Sequence, residues 1–148
     1  MNTKEMFSKN RVTFDLQATD KLGVLEELIA LLVADGKVSD PMKFKEAVLK
    51  REEEFSTGIG MGIAIPHGKS DAVLEPAMVF GKSHHGVDYE SMDDLPAHLF
   101  FLIAVPMESS DLHLKALSEI SRNLMHKEVR EKLMEATTFE AFIDVFGS

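Results

Sequence analysis

Between Thr57 and Gly68 the chain reads Thr-Gly-Ile-Gly-Met-Gly-Ile-Ala-Ile-Pro-His-Gly. Three glycines alternate with apolar residues, and a short β-like run then enters Pro66-His67-Gly68. Glycine has no Cβ, so backbone N–H groups beside it can approach a ligand closely. Proline restrains the approach to His67 and glycine frees the exit. A histidine so placed is presented by backbone, which makes His67 the leading candidate for a reactive group. A plain tight loop is the competing reading of the same pattern. Nucleotide motifs fit poorly. The spacing is GxGxG rather than GxGxxG, and Gly68-Lys69-Ser70 lacks the glycine that a phosphate loop needs at position 63.

A second candidate is His113, within Asp111-Leu112-His113-Leu114-Lys115. It falls in the expected first turn of a helix, where unpaired N–H groups and the positive dipole end favour an anion. A lone helical histidine is more often a surface or packing residue. Here, however, the helix follows an apolar strand, and open α/β sheets collect their sites at strand carboxyl ends. Arg51 is placed at the end of an earlier helix, at the edge of the glycine loop. His84 and His85 precede Gly86 in an expected hairpin turn, and they, His98 and His126 read as structural or surface residues. Without cysteine or a His-x₃-His pair, a metal site has little support.

The elements that position these groups follow from periodicity. Residues 12–16 alternate as a half-buried strand. Asp20 caps a helix carrying Leu22, Leu25, Leu28, Ile29 and Leu32, closed by Gly36. Asp40-Pro41 opens a second helix that turns Phe44, Ala47 and Val48 inward and ends near Arg51. Strands are expected at 63–66, 77–81 and 98–105, the last apolar enough to be covered on both faces. Helices follow at 112–125, 129–136 and 139–146, with Ser109, Ser110 or Asp111 capping the first and Thr138 the last. The pattern predicts one domain over residues 1–148. Its fold class is α/β, a three-layer domain with a mixed β-sheet flanked by helices on both faces.

Composition narrows the function classes. The 148 residues are 45% hydrophobic and 28% charged, as in an ordinary globular domain. No cysteine means no disulfide, thiolate metal site or cysteine nucleophile. No signal-peptide pattern and no apolar run near ~18 residues is present, so the expected location is cytoplasmic. A net charge of −9 argues against a nucleic-acid partner. Glu52-Glu53-Glu54 is the dense acidic run, either a solvated helix end or a steering patch for a basic protein.

Arg51-Glu52, Ser56 to Gly60, Gly62 to Gly68 and Asp111 to Leu114 together resemble the enzyme IIA domains of the fructose/mannitol class, from the bacterial phosphoenolpyruvate-dependent sugar phosphotransferase system. The likeness runs from the first strand to the last helix. It implies a phosphotransferase component in which His67 accepts a phosphoryl group on Nε2 from the phosphocarrier HPr and passes it to an enzyme IIB domain. In the sugar-specific branch the IIB acceptor is a cysteine. His113 and Arg51 would stabilise the phosphate. No cofactor or metal is implied, the sugar is not contacted, and the membrane is reached only through the IIC component. A nitrogen-related regulatory IIA, acting by phosphorylation-dependent protein binding, is the alternative within the resemblance. Met61 departs from the family's usual polar residue. The chemistry fits this role, since neutral imidazole is nucleophilic near pH 7 and a metaphosphate-like transfer needs positioning and oxygen donors. The glycine-loop backbone, Arg51 and His113 are the expected donors, and Ile59 and Met61 the expected docking centre.

Overall fold

The computed structural model describes residues 3–109 and 111–146, apart from the side chains of Leu112 and His113. Two 3-10 turns (Thr3–Met6 and Lys9–Arg11) lead into β1 (Val12–Thr13), α1 (Lys21–Ala34) and α2 (Pro41–Glu54). Then come β2 (Gly58–Gly60), β3 (Ile63–Ala64), β4 (His67–Ser70), β5 (Ala77–Val87) and β6 (Ala97–Pro106). Helices α3 (Leu112–Leu124), α4 (Lys127–Glu135) and α5 (Phe139–Asp144) complete the chain.

The helix starts obey local chemistry. Asp20 accepts from the Gly23 N–H, Asp40 from Lys43 and Thr138 from Ala141, so each satisfies an otherwise orphaned donor. Pro41 sits where a missing N–H costs nothing. Helix α2 runs one turn beyond the expected end at Arg51, because Glu52-Glu53-Glu54 contains no helix breaker. Leu22 is exposed, and Val24 takes its expected place in the core.

The sheet is mixed, in the order β1-β5-β6-β3-β2, with β4 also pairing β6. Strands β3 and β4 both run parallel to β6 in one unbroken register, Ile63 opposite Leu99 and His67 opposite Ile103. They are one strand interrupted at Ile65-Pro66. On β6 the pleat divides the core cleanly. Phe100, Leu102 and Ala104 pack under α1 and α2, while Leu99, Phe101, Ile103 and Val105 pack under α3, α4 and α5. This is the expected three-layer arrangement, with the central strand covered on both faces.

Strand β5 extends to Val87, well past the expected end at Gly81. His84 and His85 therefore lie exposed on a strand rather than in a turn. Lys82 lies buried on the same strand, and its Nζ donates to the carbonyls of Leu133, Met134 and Ala136. It ties the carboxyl end of α4 to the sheet, where a cation complements the helix dipole.

Candidate phosphoryl-transfer site

Pro66 has no N–H to give the ladder, so the strand carrying His67 is interrupted immediately before it. The Pro66 carbonyl still accepts from the Ile103 N–H at 3.0 Å, which holds the strand on β6. His67 then opens β4, half-buried, with β6 beside it. The continuous register places His67 on the same pleat face as Ile63 and Ile65, the face covered by α3.

One contact identifies the protonated ring nitrogen of the imidazole. His67 Nδ1 lies 3.0 Å from the Ile65 carbonyl oxygen. A carbonyl only accepts, so Nδ1 carries the proton and the unprotonated ring nitrogen is Nε2. The Ile65 N–H donates in turn to the Thr57 carbonyl at 3.0 Å. The segment nearest His67 across the sheet edge is therefore Phe55 to Thr57.

That segment is fixed from below by Glu52, which is buried rather than part of a solvated acidic patch. Its carboxylate accepts from Thr57 N at 3.0 Å, from Tyr89 Oη at 3.1 Å and from Thr57 Oγ1, and pairs with Lys21 Nζ at 3.0 Å. Lys21 also lies 4.6 Å from the centroid of the Tyr89 ring. Burial, followed by the Glu52 charge, pushes the Tyr89 phenol well above its ordinary range, so it remains a donor. Glu53 and Glu54 are exposed, and of the acidic run only these two can steer a partner.

Arg51, one residue earlier, donates from its guanidinium to the Phe55 carbonyl at 3.0 Å and stacks over the Phe55 ring at 4.4 Å. It thus braces the turn leading to Thr57. His113 is the second residue of α3, and its side chain lies outside the described residues. The start of α3 belongs to the layer on His67's face, and Arg51 to the layer on the other. Of the proposed caps of α3, Ser110 lies outside the described residues and Asp111 makes no side-chain cap hydrogen bond.

The glycines do different work from that expected. Gly60, Met61 and Gly62 all have positive φ, at 94°, 58° and 78°, and form the tight turn between β2 and β3. That turn is five residues before His67 along an extended strand, about 16 Å away at ~3.3 Å per residue. Its backbone cannot reach a phosphoryl group on His67, and Met61 cannot be the docking centre around it. A Cβ on Gly68 would lie 2.9 Å from Val48 Cγ2, so this glycine lets α2 approach β4. Gly58 similarly admits Ser91 and Tyr89. Sequence spacing does not distinguish a glycine kept for φ from one kept for close packing. Among the described residues no cluster of His, Cys, Asp and Glu is arranged to hold a metal, and no helix is long and apolar enough to cross a membrane.

Comparison with known proteins identifies the family. Residues 5–148 match the model of the phosphoenolpyruvate-dependent sugar phosphotransferase system EIIA 2 family. The fructose-specific EIIA component of Haloferax volcanii is 47% identical over 127 residues, 86% of this chain and 82% of that protein. The fructose-specific EIIABC component of Bacillus subtilis is 44% identical over 147 residues, 99% of this chain but 23% of that longer protein. The nitrogen regulatory protein IIA-Ntr of Neisseria meningitidis superposes with a TM-score of 0.90 at 27% identity, covering 97% of this chain and 98% of that one. The chain belongs to the EIIA 2 family, as an enzyme IIA of the fructose/mannitol class and a phosphotransferase component of a phosphorelay. The nitrogen regulatory fold is shared, and nitrogen regulatory proteins reach 34% identity, below the 44% and 47% of these two fructose-specific relatives.

Proposed function

We propose that His67 is the phosphoryl acceptor, taking the group on Nε2 from the phosphohistidine of HPr and passing it to a IIB domain for sugar uptake. The observation that carries this reading is the Nδ1 contact to Ile65, which fixes the tautomer whose nucleophilic nitrogen is Nε2. As the Nε2–P bond forms, the donor's N–P bond breaks and the proton stays on Nδ1, hydrogen-bonded to the Ile65 carbonyl. Positive charge on the phosphorylated ring is stabilised there. Onward transfer reverses the geometry, and the IIB nucleophile attacks in line. Because both bonds are of similar energy, the relay requires no nucleotide.

Arg51 and His113 act as donors to the phosphate oxygens in this reading. Arg51 would exchange its hold on the Phe55 carbonyl for the phosphate. Phe55 before β2, Met107 after β6 and Leu114 in the first turn of α3 are exposed large apolar residues, and they form the proposed docking surface for both partners. The fused A, B and C components named in the Bacillus relative support a IIB acceptor, with the membrane-embedded component reached only through it. The chain would then work at the cytoplasmic side, touching proteins and no sugar. Intact mass after incubation with phosphoenolpyruvate, enzyme I and HPr tests the reading. One acid-labile phosphoryl group is expected on wild type and none on His67→Ala, whereas full labelling of His67→Ala refutes it.

A further inference from the structure

We infer that Glu52 is a positioning residue for the transfer, acting on the His67 ring through Thr57 and Ile65. The inference rests on His67 being the acceptor. The path consists of named contacts. Lys21 Nζ and Tyr89 Oη hold the buried Glu52 carboxylate at 3.0 and 3.1 Å. That carboxylate accepts the Thr57 N–H at 3.0 Å and the Thr57 hydroxyl. The Thr57 carbonyl accepts the Ile65 N–H at 3.0 Å, and the Ile65 carbonyl accepts His67 Nδ1–H at 3.0 Å.

Thr57 and Ile65 thus each have a backbone group facing the next member of the chain. The ladder to β6 loses a donor at Pro66, and the Ile65 N–H is instead held by Thr57 on the other side. The Thr57 N–H is in turn held by a buried carboxylate, while its carbonyl continues the β2–β3 pairing to Ile65. A charged acceptor makes a stronger bond than a neutral one and holds its donors more tightly. Tyr89 and Lys21 come from the β5–β6 connection and from the start of α1. Three separate segments therefore converge on one carboxylate whose downstream end is the imidazole. Buried ion pairs are often replaceable by apolar residues of similar volume without loss of stability.

That replaceability supplies the test. Lys21→Met/Glu52→Met/Tyr89→Phe removes the charges and hydroxyl while keeping the volume, and Glu52→Gln keeps an acceptor for Thr57. The neutral His67 tautomer is read from ring ¹⁵N shifts near pH 8, above the ordinary imidazole value of about 6.5, and the phosphorylation rate by phospho-HPr is measured in parallel. Wild type should hold the Nδ1–H tautomer. The triple variant should fold, show mixed tautomers and lose roughly 10²-fold in rate, the scale of a 1 Å misplacement. Glu52→Gln should retain the tautomer and stay within about tenfold of the wild-type rate, the acceptor being kept.

A folded triple variant with the wild-type tautomer overturns the inference, whatever its rate. Hydrogen exchange on wild type decides independently of any variant's folding, because a Thr57 amide that exchanges like an exposed one also overturns it. The tautomer is read without phosphate. A wild type that HPr never phosphorylates would therefore refute the acceptor role while the tautomer comparison still judges Glu52.

Discussion

Replacing Gly68 by alanine probes the contact that seats α2 against the strand bearing His67. The added Cβ would lie 2.9 Å from Val48 Cγ2, 3.1 Å from Phe44 Cε1 and 3.4 Å from the Val48 backbone nitrogen. Carbon atoms rest at about 3.5–4.0 Å, so α2 must retreat by roughly 0.5–1 Å. Val48 and Phe44 are fully buried. Overpacking of this kind costs about 1–3 kcal/mol. The smaller unfolded-state entropy of alanine returns about 0.4–1 kcal/mol. A net loss of about 1–2 kcal/mol is expected, which for a chain of this size lowers Tm by roughly 3–6 °C. The retreat also carries Arg51 and Glu52 away from Thr57, so phosphorylation by phospho-HPr should slow beyond the stability effect. Thermal melts and rapid-mixing kinetics on the same preparation read both. A variant that melts at or above wild type with an unchanged rate would refute this packing argument.

Met61→Gly relieves a left-handed residue at the β2–β3 turn and should raise stability by up to about 1 kcal/mol, read by urea midpoints, with phosphorylation unchanged because the turn is remote from His67. Phe55→Lys should weaken productive encounter with phospho-HPr, seen as a lower apparent second-order rate, whereas Met61→Lys should not. Burial would raise the Asp35 carboxyl, but hydrogen bonds from Asn10 and Arg11 outweigh it and hold the group below its ordinary range. The folded value being lower than the unfolded ~3.9, its stabilisation is complete above that value and is lost as pH falls through the folded one. Asp35→Asn should therefore be less stable than wild type near neutrality and converge with it in acid, as urea midpoints across pH will show.

The sequence was most readable where structure is set locally. Asp20, Asp40 and Thr138 each satisfy a donor three residues ahead, so the helix starts were visible from residue types alone. The alternating and all-apolar runs likewise marked β6 and the two-sided core. Strand ends were less legible because pairing partners determine them. Nothing local to His84 and His85 announces that β5 continues past Gly81 alongside β6. His67 stood out because proline and glycine bracket it, yet its place on a strand depends on the register with Ile103. Glu52 was hidden within an acidic run, and only the convergence of Lys21, Tyr89 and Thr57 distinguishes it from Glu53 and Glu54. The turn at Met61 looked like part of the site because sequence proximity is not spatial proximity along an extended strand.

The most direct test of the account is ¹⁵N and ³¹P NMR of the phosphorylated chain, which reports the residue and the ring nitrogen that carry phosphorus. The contact from Nδ1 to the Ile65 carbonyl predicts one phosphoryl group, on His67 Nε2, with Nδ1 still protonated. Phosphorus on Nδ1 of His67, or on any other residue, would contradict it.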